Sequence, residues 1–144
     1  MQISPKNSII GTLKDGGSAV QVIGRIDRKK YSAVCENIRT DEVIITEERI
    51  AHIKNRHPGD FERYSQYIAI MLEHPQYILK DTVPEIAVIL QEFSQEKEHF
   101  RLILKLAVVE DEEGRRNSVI TFMKISEKKF YKYLRNKKIL YTAE

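Results

Sequence analysis

Along this chain the spacing of apolar residues switches from alternating to helical and back to alternating. Ala19-Val20-Gln21-Val22-Ile23-Gly24 and Lys30-Tyr31-Ser32-Ala33-Val34-Cys35 are short runs with β-branched and aromatic residues. They flank the charged turn Asp27-Arg28-Lys29, which predicts a hairpin. Residues 1–17 carry Pro5, Asn7, Gly11 and the turn signal Asp15-Gly16-Gly17, the marks of a loose segment or an edge hairpin.

After Val43-Ile44-Ile45 the period becomes helical. Thr46 is a good N-cap, and Glu47 and Glu48 follow where a helix dipole favours acids. Pro58-Gly59 should stop this helix near His57. On a helical wheel Ile50, Ile53 and His57 share one face, while His52 and Arg56 lie on a neighbouring, more exposed one. A second helix is expected from a cap at Asp60 to a stop before Pro75, with Phe61, Tyr64, Tyr67, Ile68, Met71 and Leu72 as its apolar face.

Beyond Asp81 the strand period returns. Ile86-Ala87-Val88-Ile89-Leu90 suits a central strand. From His99 to Leu106 the residues alternate, with Phe100, Leu102, Leu104 and Leu106 facing one way and His99, Arg101, Ile103 and Lys105 the other. Ser94 to Lys97 should join these strands as a hairpin, and Glu110 to Gly114 should lead into a third, Ser118 to Met123. Short polar connections make the pairing antiparallel. Ser126 should cap a short helix bearing Phe130, Tyr133 and Leu134, and Ile139-Leu140-Tyr141 should close the sheet edge. Helices ahead of an antiparallel meander define an α+β fold.

Length and composition narrow this picture. The 144 residues suit one domain, assigned to 18–144 behind the N-terminal segment, and 42% hydrophobic with 31% charged residues is ordinary globular composition. No apolar run approaches the roughly 20 residues needed to span a bilayer. Met1 to Lys6 lacks the charged start and apolar stretch of a signal peptide, so no membrane partner and a cytoplasmic setting are expected. The single cysteine, Cys35, reads as a small hydrophobe rather than a nucleophile.

The net charge of +3 is uninformative, but its distribution is segregated. Between Lys124 and Lys138 stand seven basic residues and one acid, Glu127, while Glu110-Asp111-Glu112-Glu113 is an acidic turn. A basic face suits a polyanion such as RNA, although a solvated helix surface has the same composition.

The sequence holds no Gly-rich phosphate loop, CxxC pair, HExxH motif or Gly-x-Ser-x-Gly elbow, and His52 and His57 are five residues apart, the wrong spacing for a zinc pair on one helix. What remains suits phosphodiester cleavage without a cofactor. That chemistry needs a base for the RNA 2′-hydroxyl, an acid for the leaving oxygen, and donors for the phosphoryl oxygens. Histidine serves either proton role, and arginine can grip two phosphate oxygens. His52, Arg56 and His57 come from one helix end, Arg101 and Lys105 from a strand, and Ser118 and Thr121 from the next strand. Each also has a plain reading. His57 fits a structural helix end, Arg101 and Lys105 fit the wet side of a strand, and His99 and His74 fit surface positions beside turns.

At these residues the chain resembles the phage-associated barnase/EndoU/colicin/RelE-like (BECR-fold) nuclease domains. The run from Thr40 to Pro58, including Ile50-Ala51-His52-Ile53-Lys54-Asn55-Arg56-His57, is similar to the start of such domains. So are Asn117-Ser118-Val119-Ile120-Thr121-Phe122-Met123-Lys124-Ile125 and Arg135-Asn136-Lys137-Lys138-Ile139-Leu140-Tyr141. The likeness spans roughly residues 20–141. It implies an N-terminal hairpin and two helices before a four-stranded antiparallel sheet with a short C-terminal helix. It also implies metal-independent RNA cleavage to a 2′,3′-cyclic phosphate, and places site residues at His52, Arg56, His57, Ser118, Thr121 and Lys124. It does not choose between the histidines.

The leading expectation is therefore a metal-independent endoribonuclease with RNA as substrate and an inhibitor or antitoxin protein as a further partner. His52 or His57 would move the proton, with Ser118 or Thr121 donating to a phosphoryl oxygen. Arg56, Arg101, Lys105 and Lys124 would bind the phosphates. Two other readings stand beside it: a non-catalytic RNA-binding module that uses the basic C-terminal helix, and a protein-interaction domain.

Overall fold

A computed structural model of the chain describes residues 9–15, 18–95 and 97–143, with side chains from residue 19 onward. The strands are β1 (Ile9–Asp15), β2 (Ser18–Arg25), β3 (Glu42–Thr46), β4 (Tyr77–Lys80), β5 (Ile86–Phe93), β6 (Glu98–Lys105), β7 (Asn117–Ile125) and β8 (Ile139–Thr142). The helices are α1 (Glu47–Arg56), α2 (Asp60–Tyr64), α3 (Gln66–Glu73) and α4 (Glu127–Asn136). The eight described strands make one sheet in the order β1-β2-β3-β7-β6-β5-β4-β8.

The α+β class is as expected, but the four-stranded sheet is not. β3 runs parallel to β7, through Val43↔Asn117 and Ile44↔Ser118, and so joins the N-terminal strands to the meander. β4, which the sequence pattern did not reveal, pairs with β5 on one side and β8 on the other. The edge strand at Ile139 to Tyr141 forms as predicted.

The hairpin expected between residues 19–24 and 30–35 does not form. β2 pairs with β1 and β3, both antiparallel, and residues 28–34 are turns. Asp27 starts those turns: its side chain accepts from the Lys29 N–H at 3.1 Å and its carbonyl from Lys30 at 2.9 Å. They carry Tyr31 into the core, where its hydroxyl donates to the Leu72 carbonyl at 2.7 Å. Burial pushes that phenol's pKa well above its ordinary value. The β1–β2 pairing fits the edge hairpin foreseen near the N-terminus, although residues 1–8 and the Gly16-Gly17 turn lie outside the described residues.

α1 begins and ends as the sequence predicts. Thr46 Oγ1 accepts from the Arg49 N–H at 3.1 Å, and His57 closes the last turn with its N–H on the Ile53 carbonyl at 2.9 Å. Gly59, at φ 87°, then turns the chain in the left-handed region. Ile53 is fully buried against the sheet, which stabilises the docked helix by about 1.5–3 kcal/mol. The second predicted helix is broken at Ser65 into α2 and α3, and Gly59 rather than Asp60 stands at its N-cap. Tyr64, Ile68, Met71 and Leu72 still enter the core. α3 lies so close to β2 that a Cβ on Gly24 would stand 3.0 Å from Leu72 Cδ1 and 3.4 Å from Ala69 Cα.

The sheet has two unlike faces. α1, α2 and α3 cover one, burying Phe100, Leu102, Leu104, Val119 and Phe122. Cys35 packs at its margin, where burial, then the Glu85 carboxylate, raises the thiol pKa and makes a thiolate nucleophile unfavourable. Among the described residues only α4 covers the other face, setting Phe130 and Leu134 against Leu79, Val88, Leu90 and Ile125. Ser126 caps α4 as expected, accepting from the Lys129 N–H at 3.1 Å. His99 is not at the surface as the pattern suggested. Phe130 covers it, and its Nε2 lies 3.1 Å from Glu92 Oε2, so α4 returns over the strand face that alternation had marked as wet. His74 is exposed, in line with expectation.

Two polar groups fasten this arrangement. Asn117 is fully buried, and its amide donates to the carbonyls of Thr40 (2.8 Å) and Glu42 (3.0 Å) while accepting from the Ala107 N–H (2.9 Å). Glu98 ties α2 to the sheet, accepting from Tyr64 (3.0 Å) and Lys124 (3.2 Å). Burial opposes its ionisation, but the hydrogen bonds from Tyr64 and Lys124 outweigh that effect and hold the carboxyl below its usual pKa.

Asn117→Ala leaves one buried and two half-buried backbone groups without their partner, so urea unfolding should show a loss of about 3 kcal/mol; a loss below about 0.5 kcal/mol would refute the fastening role. Glu98 stabilises the fold when ionised, and this contribution fades as pH falls through its lowered folded-state pKa. Glu98→Gln should therefore lower the melting temperature near neutral pH and match the unsubstituted protein in acid, well below the ordinary glutamate value of about 4.3. A deficit independent of pH would contradict that account.

Candidate functional site

The face that α4 leaves partly open carries four of the polar residues singled out from the sequence, Arg101, Lys105, Ser118 and Thr121. Paired residues of adjacent antiparallel strands share a face, and the β6–β7 register gives Arg101↔Met123, Ile103↔Thr121 and Lys105↔Ser118. Ser118 and Thr121 are three residues apart and would point to opposite sides of a regular strand. The register shifts between Ile103 and Leu104, leaving Ile120 as the extra residue of a β-bulge. That bulge turns Thr121 back to the side of Ser118.

Beside the bulge lies a cleft of about 450 Å³. Arg49, Lys105, Arg115 and Arg116 supply four cations to its walls, against the two carboxylates Asp111 and Glu112. Ser118 and Ile120 line it too. Lys105 is held by Glu85 at 2.8 Å and Arg116 by Glu42 at 3.3 Å. Among the described residues neither Arg49 nor Arg115 is ion-paired, and the carboxylates Asp111 and Glu112 match them in number on the cleft walls. Its acidic rim is ordered by Arg39, whose guanidinium reaches the carbonyls of Val108, Val109 and Asp111 at 3.4, 3.3 and 2.9 Å.

Arg49 was not foreseen, and it connects α1 to the cleft. At 100° per residue, Arg49, His52 and Arg56 lie within about 60° of one another on the helix. This polar stripe runs beside the buried stripe of Ile50 and Ile53. Since Arg49 lines the cleft, His52 stands one turn further along the same stripe and Arg56 two turns along. His57 is placed differently. It is half-buried at the helix C-cap, and its backbone bonds both the Ile53 carbonyl and the Asp60 N–H. The signal for Arg49 was present in the sequence as the spacing 49, 52, 56.

Arg101 sits four residues from Lys105, a separation of about 13 Å along a strand. Its guanidinium is held by the Tyr133 hydroxyl of α4 and by Met123 Sδ at 2.9 Å, with its carbon 5.7 Å from the Tyr133 ring centre. Among the described residues no carboxylate pairs with it, and its buried Nε has no acceptor. The guanidinium thus carries a charge that no acid neutralises, while Nε itself is shut off from solvent. Lys124 lies away from this group, on the helix-covered face, where it meets Glu98 and Tyr64. Arg101, Lys105, Ser118 and Thr121 thus share one face. Of the α1 stripe Arg49 lines the cleft, whereas His52, Arg56 and His57 belong to the helix layer on the opposite side of the sheet, as does Lys124.

Among the described residues no group of three His, Cys, Asp or Glu side chains is placed to hold a metal ion, and no helix is long and apolar enough to cross a membrane. No curated protein and no solved structure matches the chain. A family of nuclease-like domains does, over residues 18–142. That match takes in every element that builds the cleft, and the chain belongs to the phage-Barnase-EndoU-ColicinE5/D-RelE like nuclease2 family.

Proposed function

We propose that the protein is an endoribonuclease that cleaves RNA by internal attack of a 2′-hydroxyl, with no metal required. The observation that carries this reading is Arg101: a half-buried guanidinium without an acid partner, on the same sheet face as Lys105, Ser118 and Thr121. Nuclease membership narrows the ligand to a phosphodiester, and these donors match its oxygens.

In the reaction the 2′-oxygen bonds to phosphorus while the bond from phosphorus to the 5′-oxygen breaks. The products are a 2′,3′-cyclic phosphate and a 5′-hydroxyl. One proton leaves the 2′-hydroxyl and one is delivered to the departing oxygen. His52 takes one of these two roles, because it lies on the stripe that reaches the cleft, whereas His57 closes the helix. Arg101 and Lys105 lie too far apart to hold a single phosphoryl group, so one grips the reacting phosphate and the other a neighbour along the strand. Ser118 and Thr121, set on one face by the bulge, donate to phosphoryl oxygens, and Arg56 adds charge at the margin.

Purified protein should cut RNA in the presence of chelator and leave 2′,3′-cyclic ends. His52→Ala should lower kcat by roughly 100-fold or more, with His57→Ala acting mainly on stability. If His52 is the base, its replacement removes the acid limb of the kcat/KM pH profile; if it is the acid, the alkaline limb goes. Arg101→Ala should cost on the order of 100-fold, and Arg101→Lys should restore only part of it. Full activity in both His52→Ala and Arg101→Ala would remove the assignment.

A further inference from the structure

Helix α4 carries Lys128, Lys129, Lys132 and Arg135 against the single acid Glu127. Lys54, Lys105, Lys124, Arg25, Arg28 and Arg116 all face carboxylates within 4 Å. Among the described residues no lysine or arginine of α4 does. Lys129, Lys132, Tyr133, Asn136 and Lys137 instead line a groove of about 210 Å³. Leaving this many like charges unneutralised on one short helix costs self-repulsion, which a polyanion would relieve.

The groove also adjoins the proposed site. Tyr133 forms part of its wall, and the same hydroxyl holds the Arg101 guanidinium. Lys129 to Lys137 spans about 12 Å of helix, long enough for consecutive phosphates of one strand but only one helix wide. We propose that this groove is the track for a single RNA strand on its way past Arg101, with Lys129, Lys132 and Lys137 meeting backbone phosphates and Asn136 a polar edge. The inference rests on the nuclease reading for its choice of RNA. It adds that the substrate is an extended single strand whose affinity comes largely from phosphates outside the cleft.

The track is tested by binding a single-stranded RNA oligomer whose 2′-oxygens are methylated, so that binding is read without cleavage. The triple variant Lys129→Gln, Lys132→Gln, Lys137→Gln should weaken that binding by about tenfold or more at low salt and reduce the slope of log K against log salt by about 2, given about 0.7 per phosphate lost. With cleavable RNA, its loss of kcat/KM on the oligomer should exceed its loss on a dinucleotide. The control variant Lys29→Gln, Lys54→Gln, Lys80→Gln removes equal charge from other surfaces and should keep the slope. An unchanged slope in the α4 variant, or an equal fall in the control, overturns the track. If the unsubstituted protein cleaves no RNA but the slope falls as expected, the track stands and the nuclease reading fails. If an acidic protein occupies the groove and methylated RNA binds equally with or without the three lysines, the RNA assignment is overturned.

Discussion

The structure depends on a single buried side-chain amide. β3 and β7 form the one parallel pairing in the described sheet, and only two residue pairs register across it. So short a ladder needs reinforcement, and Asn117 supplies it with two donations to β3 and its approach and one acceptance from Ala107. Both hydrogens and the oxygen of the amide are used, which is why it can be fully buried without an outstanding desolvation cost. The consequence reaches the site. Fixing β3 beside β7 fixes where α1 starts, and Arg49 in its first turn then falls next to the Ile120 bulge.

From that junction the two faces of the sheet take different tasks. One is covered by three helices and filled with apolar side chains, and at its border Lys54 and Lys124 meet the acids Glu62 and Glu98. The other is covered, among the described residues, by α4 alone, which buries Phe130 but leaves polar strand residues accessible beside it. Lys124 and Arg101 illustrate the division. They lie on adjacent strands, yet one belongs to a stabilising cluster with a carboxylate and the other has none.

Much of this was legible in the sequence. The alternation from His99 to Leu106 fixed the faces of β6, and Thr46 with Pro58-Gly59 fixed both ends of α1. Features set by distant partners were not. Residues 30–35 have a strand-like composition, but the buried hydroxyl bond of Tyr31 to Leu72, across the core, outweighs that local preference. β4 is four residues long and acquires its strand character from β5 and β8. The bulge at Ile120 leaves no local mark, so Ser118 and Thr121 could be named from the sequence but not placed on one face by it. His99 reads as exposed until α4 is known to fold back over it.

Arg101 is where these constraints meet in energetic form. A guanidinium drawn halfway out of water loses hydration that a carboxylate would ordinarily replace. A tyrosine hydroxyl, a thioether and an aromatic ring replace it only in part, and Nε remains without an acceptor. Packing against Phe130 and Leu134 holds α4, and α4 holds Tyr133, so the guanidinium stays in place although its own interactions are incomplete. The folding energy of the apolar layer thereby keeps an unneutralised cation fixed on the sheet. On the proposed function, a phosphodiester reaching the open edge of the guanidinium would have no acid to displace, and an ordinary hydrophobic contact between a helix and a sheet would hold the charge that meets it.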